Sequence, residues 1–103
     1  MGGQTPEGKV RTKVVKWAAD HDIGHVRMSF RPGVKRGVPD DQFMLPNGWS
    51  LWIEFKAPGK KPTPKQEEKL TEMKRRHHYC MWTDDPAEAI AALTDMLTWK
   101  TKV

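Results

Sequence analysis

The segment Pro46-Asn47-Gly48 is the feature that most constrains the fold of this 103-residue chain. An Asn-Gly pair between two short runs of strand-forming residues favours the tight turn of a β-hairpin. The preceding run extends from Asp40 to Leu45, and the following run extends from Trp49 to Lys56. We therefore predict two antiparallel strands over these runs.

The second of these strands carries two charged residues in an otherwise apolar run. The alternation of side chains along a strand puts Leu51, Ile53 and Phe55 on one face and Trp52, Glu54 and Lys56 on the other. Glu54 and Lys56 should therefore lie about 7 Å apart on one side of the sheet. The short hairpin should bring Asp40 close to Glu54. The alternative is that Glu54 and Lys56 form a charge pair on a solvent-exposed sheet face.

Helical periodicity and capping signals predict the remaining elements. These are a helix from about Pro6 to His21, a strand from His25 to Phe30, a helix from Pro64 to about His77, a strand from Tyr79 to Trp82 and a last helix after Asp85. The first helix should bury a stripe of Glu7, Val10, Val14, Trp17, Ala18 and His21, and the last should bury Ile90, Leu93 and Leu97. The alternation in the first strand is typical of a half-buried strand. The chain length fits one α/β domain over residues 1–103.

Composition narrows the function only in a general way. The net charge of +5 favours contact with polyanions such as nucleic acids. The one cysteine, Cys80, excludes an intramolecular disulfide framework and fits a reducing compartment. The first residues lack the apolar core of a secretory signal, and no run is long enough to span a bilayer. A cytoplasmic, membrane-free protein is the expectation.

Two carboxylates and an ammonium group on one sheet face are suited to phosphodiester hydrolysis. That reaction needs a cation to neutralise developing charge and to lower the pKa of the attacking water, and carboxylate oxygens suit Mg²⁺ or Mn²⁺. Asp40 and Glu54 would supply such oxygens, while Lys56 would orient the water or stabilise negative charge. Asp41 adjoins Asp40, and periodicity alone leaves open which of the two faces the site.

Three motifs together resemble the VRR-NUC branch of the PD-(D/E)XK nuclease superfamily. They are Gly37-Val38-Pro39-Asp40, Trp52-Ile53-Glu54-Phe55-Lys56-Ala57-Pro58-Gly59-Lys60 and Thr63-Pro64-Lys65-Gln66. The resemblance covers most of the chain and implies a restriction-endonuclease-like core, in which helices flank a central mixed β-sheet in the order αβββαβα. The chain departs from the family pattern at Arg75-Arg76-His77-His78, where a glycine often precedes the next strand.

The resemblance also implies a set of site residues. Metal ligands would be Asp40, Glu54 and the backbone carbonyl of Phe55, with Glu7 bound directly or through water, and the catalytic set would be Asp40, Glu54, Lys56 and Gln66. Gln66 has an alternative role as the third residue of a capping box with Thr63. Glu7 also has an alternative role, that of a first-turn carboxylate that complements the helix dipole. The Pro-Asp pattern favours Asp40 over Asp41.

The activity implied by the resemblance is that of a Mg²⁺- or Mn²⁺-dependent DNA endonuclease. Stand-alone relatives of phage and bacterial type imply a homodimer that cuts branched DNA such as Holliday junctions or flaps, and Trp49 and Trp99 are candidates for its interface. Phosphate contacts are expected from Lys35, Arg36, Lys60 and Lys61. The rival is a catalytically inactive, basic nucleic-acid-binding module. A zinc site of His21, His25, His77, His78 and Cys80 is disfavoured by its spacing.

Overall fold

The protein is described here by a computed structural model that covers residues 4–28 and 39–103. Its elements are α1 (Pro6–Ala19), β1 (Gly24–Arg27), β2 (Asp41–Met44), β3 (Ser50–Phe55), α2 (Pro64–Arg75), β4 (Cys80–Thr83) and α3 (Pro86–Leu97). The predicted order αβββαβα is confirmed. None of the helices in these ranges has the length and apolar character that crossing a bilayer requires.

The four strands form one mixed sheet in the order β1-β2-β3-β4. β1 and β2 pair antiparallel, β2 and β3 pair antiparallel, and β4 lies parallel to β3. The predicted hairpin is confirmed: Leu45 N donates to Trp49 O at 2.8 Å, and Gly48 turns the chain with a φ of 92°. That positive φ explains why glycine suits this position.

The main core lies between one sheet face and the helices α1 and α3. Its members are Val10, Val14, Ala18, Ile23, Phe43, Leu45, Leu51, Ile53, Phe55, Ala89, Leu93 and Met96. α2 packs near β4 on the opposite face, where Leu70 is buried and its carbonyl oxygen accepts from Cys80 Sγ at 3.4 Å. Since Glu54 alternates with Ile53 and Phe55, it belongs to the α2 side of the sheet.

Two helix faces differ from the predicted stripes. In α1 the buried residues are Val10, Arg11, Val14 and Ala18, while Trp17 is half-buried and His21 is exposed. In α3 the buried residues are Ala89, Leu93 and Met96, and both Ile90 and Leu97 are only half-buried. Each helix is therefore rotated slightly from the predicted face. In α1 the cause is Arg11, whose guanidinium turns inward towards a buried carboxylate of β2.

The first strand is also shorter and more exposed than predicted. β1 covers Gly24–Arg27, and its apolar residue Val26 is 40% exposed. Met28, which follows the strand, is 38% exposed. β1 is an edge strand, and its inward-facing ring is that of His25, which packs on Phe43 with a 4.8 Å centroid distance. The prediction of a half-buried alternating strand is therefore wrong for Val26 and Met28, whereas Ser29 and Phe30, the rest of that predicted strand, lie outside the described residues.

Candidate active site

Glu54 is a buried carboxylate near the end of a central strand. Its residue is 4% exposed, and its Oε2 lies 3.5 Å from Lys56 Nζ. Strand pairing holds Lys56 in place, because its backbone N–H donates to Thr83 O of β4 at 2.9 Å. The Lys56 side chain is only 14% exposed. The prediction that these two side chains meet on one side of the sheet is confirmed, and the alternative of a solvent-facing charge pair is wrong.

Gln66 contacts the same carboxylate from α2. Its side-chain N–H donates to Glu54 Oε2 at 3.3 Å, while its Oε1 accepts from Thr63 N at 2.9 Å. Thr63 Oγ1 in turn accepts from Gln66 N at 3.2 Å, which completes the predicted capping box. The capping role of Gln66 is therefore confirmed, and the same side chain also contacts Glu54, while its catalytic role stays a prediction. The capping box holds the amide so that its remaining donor points at Glu54.

This arrangement makes Thr63 a testable support of the site. We expect Thr63→Ala to lower the free energy of unfolding by about 1 kcal/mol, because the first turn of α2 loses its side-chain acceptor. Urea unfolding monitored by circular dichroism measures the change. Thr63→Ser keeps the hydroxyl and serves as the matched control. Equal stability of the alanine and serine variants would contradict the capping role.

Asp40 and Asp41 have opposite environments, as their adjacent positions require. Asp41 is fully buried on the α1 side and lies opposite Ile53 in the β2–β3 register. Asp40 is half-buried, and its negative charge raises the pKa of Glu54. The predicted choice of Asp40 as the carboxylate near Glu54 agrees with this electrostatic coupling. Its role as a metal ligand stays a prediction.

Arg11 is the buried residue that the sequence did not single out. Its Nε donates to Asp41 Oδ2 at 2.9 Å and its Nη2 donates to Glu7 Oε2 at 3.2 Å. Asp41 Oδ1 is also 2.7 Å from His25 Nε2, so this carboxylate is held from two sides. Burial by itself lowers the pKa of Arg11, but the hydrogen bonds and charges of Asp41 and Glu7 outweigh it and raise that pKa. Glu7 thus has a partner that restrains it at the start of α1.

Burial and, to a lesser extent, mutual repulsion raise the pKa values of Glu54 and Asp40. Burial, followed by the charge of Asp40, raises the pKa of Glu54 from its ordinary value near 4.5 to about 7, although Lys56 opposes the shift. Burial and then the charge of Asp41 raise the pKa of Asp40. Glu7 contributes to both shifts. A divalent cation would relieve this repulsion, so the electrostatics of the site fit a metal ion.

The donor set also fits a hard cation, though it does not form a complete cage. Lys56 and Gln66 both contact Oε2 of Glu54, and no residue of the described ranges donates a hydrogen bond to its Oε1. Nowhere within 4–28 and 39–103 do three acidic, histidine or cysteine side chains converge closely enough to enclose an ion. Binding would therefore draw on carboxylates together with a backbone carbonyl and water, the oxygen ligands that Mg²⁺ prefers.

The remaining predicted residues lie in loops or outside the description. Lys35 and Arg36 lie outside the described residues. Lys60 and Lys61 are exposed after a turn in which Lys60 N donates to Ala57 O at 2.9 Å, and their phosphate contacts stay a prediction. The disfavoured zinc set does not assemble: His21 stacks on Trp17 at the end of α1, and His25 belongs to the opposite edge of the sheet from β4.

Comparison with known proteins supports the fold and points to nucleases. No protein-family model matches the chain. The protein named "Putative nuclease p44", from Acyrthosiphon pisum secondary endosymbiont phage 1, is 50% identical over 44 residues. The aligned segment covers 43% of this chain and 47% of that phage protein, so the match spans about half the length of the relative.

A solved VRR_NUC domain has the same architecture as this chain. It aligns with a TM-score of 0.76 and 20% sequence identity over 88% of this chain and 97% of the solved domain. This likeness confirms the fold implied by the three sequence motifs. The chain therefore has the restriction-endonuclease-like fold of a VRR_NUC domain, with Glu54, Lys56 and Gln66 brought together on the α2 side of its sheet.

Proposed function

We propose that this protein is a metal-dependent nuclease that hydrolyses phosphodiester bonds in DNA. The observation that carries the proposal is the environment of Glu54, a buried carboxylate contacted by Lys56 and Gln66 and destabilised as an anion by Asp40. Burying such a group costs free energy, and ionisable groups with strongly shifted pKa values cluster at functional sites. The VRR_NUC-like fold and the similarity to a phage protein with a nuclease name support the same activity.

Each residue of the site has a distinct role in this proposal. Asp40, Glu54 and the carbonyl of Phe55 would hold Mg²⁺ or Mn²⁺, and Glu7 would bind the ion directly or through water. The bound ion supplies charge neutralisation and a lowered pKa of water. Lys56 orients the attacking water and stabilises the negative charge that develops on the phosphate. Gln66 fixes the orientation of the Glu54 carboxylate through its hydrogen bond to Oε2.

Cleavage of labelled DNA tests the proposal directly. Linear, flapped and four-way-junction DNA would each be incubated with Mg²⁺, Mn²⁺ or EDTA. We expect cutting with either metal and none in EDTA. Tight DNA binding without cutting under every metal would instead support an inactive nucleic-acid-binding module.

The preferred substrate and the assembly state belong to the same proposal. We expect branched DNA, such as Holliday junctions or flaps, to be cut faster than linear duplex. A homodimer would present two active sites to the two strands of a branch, and light scattering during size-exclusion chromatography would measure its mass. A strictly monomeric enzyme that cuts linear and branched DNA at the same rate would contradict both the homodimer and the preference for branched DNA.

Metal affinity should depend on pH through Glu54. The folded carboxyl holds its proton up to a pKa of about 7, whereas the unfolded one releases it near 4.5. Stability without metal should therefore fall as the pH rises from 4.5 to 7 and then level off, because the unfolded state gains more from ionisation. Metal must displace that proton, so we expect Mn²⁺ to bind about tenfold more weakly near pH 6 than near pH 8.

Isothermal titration calorimetry with Mn²⁺ at the two pH values measures this difference. Glu54→Gln is the control, because it keeps the shape of the side chain but cannot ionise. We expect that variant to bind Mn²⁺ weakly at both pH values. An unchanged Kd between the two pH values in the native protein would contradict the assignment of Glu54 as a ligand.

A further inference from the structure

Two adjoining hollows lie at the opposite end of β3 from Glu54. One has a volume of about 340 Å³ and the other of about 60 Å³, and both are lined by His77, His78 and Tyr79. Lys74 lines the larger hollow, and Trp52 and Lys102 line the smaller. We call these six residues the histidine groove. No Asp or Glu side chain of the described residues lines either hollow.

The backbone at His77 favours glycine, yet the chain carries an imidazole there. α2 ends with the hydrogen bonds His77 N to Lys74 O at 3.0 Å and His78 N to Met73 O at 2.9 Å. His77 takes a φ of 67°, the left-handed conformation that usually selects glycine after a helix. Residues held in this conformation cluster at functional sites, which makes the imidazole at position 77 a candidate for a binding role. Such a role would involve the groove, because His77 lines both of its hollows.

The lining of the groove combines aromatic rings with cations. Tyr79 is 44% exposed, and edge contacts with Trp49 and Trp99 at centroid distances of 5.7 and 4.9 Å hold its ring in place. Lys74 lines the larger hollow, and Lys102 lines the smaller one with its Nζ 5.3 Å from the centroid of the Trp49 ring. Rings that bases can stack on, together with cations that contact phosphates, are the elements of a single-strand binding surface. A duplex buries its bases within the helix and offers no free base faces to such rings.

We propose that the histidine groove binds an unpaired segment of a nucleic-acid strand that leads into the active site. Bases stack on His77 and Tyr79, and phosphates contact Lys74 and Lys102. Trp52 connects the two places, because it lines the groove and shares a sheet face with Glu54. The distance from the start of β3 to Glu54 is about 13 Å, the length of about four stacked nucleotides. The choice of nucleic acid as ligand rests on the proposed function.

Fluorescence anisotropy with two DNA probes in EDTA tests the groove without cleavage. One probe is a blunt duplex of about twenty base pairs, and the other adds a tail of about ten thymidines. The test protein is the double variant His77→Gly/Lys74→Gln. Glycine suits the backbone at position 77, so we expect the variant to melt no lower than the native protein. Lys16→Gln is the matched charge control, because Lys16 and Lys74 each lie in the last turn of a helix.

We expect the native protein to bind the tailed probe about tenfold more tightly than the blunt probe. The double variant should lose most of that preference, while Lys16→Gln should keep it. The inference is overturned if the native protein binds both probes alike, or if the double variant keeps the preference. Metal-dependent cleavage with no preference for the tail would contradict only the proposal that the groove binds a single strand. A tail preference that depends on the groove, without cleavage under any metal, would contradict only the proposed nuclease activity.

Discussion

Lys56→Ala should reduce DNA cleavage at saturating Mn²⁺ by about a thousandfold, within the range that loss of one positioned acid–base or charge-stabilising group produces. The native ammonium is 3.5 Å from Glu54 Oε2 and only 14% exposed, and a water molecule in the space left by the side chain would carry no positive charge. Its charge lowers the pKa of Glu54, and its loss should raise that pKa further. Single-turnover cleavage of a labelled junction measures the effect.

Lys60→Ala provides the matched control, because Lys60 is exposed in the loop that follows β3. Removing that charge should weaken DNA binding but leave the single-turnover rate within about threefold of native at saturating protein. Circular dichroism should show that both variants are folded. If Lys56→Ala cut DNA as fast as Lys60→Ala, Lys56 would have no catalytic role.

Arg11→Met should lower the free energy of unfolding by about 3–5 kcal/mol, the typical cost of removing one partner of a buried ion pair. Asp41 is fully buried, and the variant leaves it with His25 as its remaining side-chain hydrogen-bond partner. The aliphatic part of methionine preserves much of the packing against Phe55, over which the guanidinium carbon lies at 5.4 Å from the ring centroid. Most of the loss therefore reports on the charge network.

Urea unfolding of Arg11→Met beside Lys13→Met measures this cost. Lys13 is exposed on the same helix, so the second variant makes a comparable change outside the network. We expect its effect to stay within about 0.5 kcal/mol, as for most surface substitutions. If the two variants lowered the free energy of unfolding equally, the Arg11–Asp41 contact would contribute no more to stability than an exposed residue of the helix.

The hairpin and the capping box could be predicted because both depend on local rules. Asn47-Gly48 specifies a tight turn, and Thr63 with Gln66 specifies a helix start, whatever the rest of the chain does. Strand alternation then determines that Glu54 and Lys56 share a side. These local signals were enough to bring the central residues of the candidate site together.

The network of Arg11 could not be predicted because its partner is distant in sequence. Arg11 and Asp41 are separated by 30 positions, and periodicity treats an arginine in a basic helix as a solvated residue. The signal that was available lies in the neighbouring carboxylates Asp40 and Asp41. Since adjacent residues of a strand face opposite sides, one of the two had to face the core and required a partner there.

The errors at β1 and α3 have a similar origin in tertiary context. Alternation in a strand shows which side chains share a face, but it does not show whether that face is covered. β1 lies at the sheet edge, so Val26 stays exposed and the ring of His25 packs inward instead. In α3 the buried face contains the small residue Ala89 with Leu93 and Met96, so Ile90 lies at the side of that face and is only half-buried.

The double role of Gln66 links heat tolerance of activity to a single helical turn. The first turn of a helix opens more easily than the whole domain, since local fraying requires less free energy than global unfolding. When the first turn of α2 opens, Glu54 loses its hydrogen bond from Gln66 at the same moment that the helix loses its cap. On warming, the rate should therefore begin to decline several degrees before the domain melts, and tightening this turn would widen the working range of temperature.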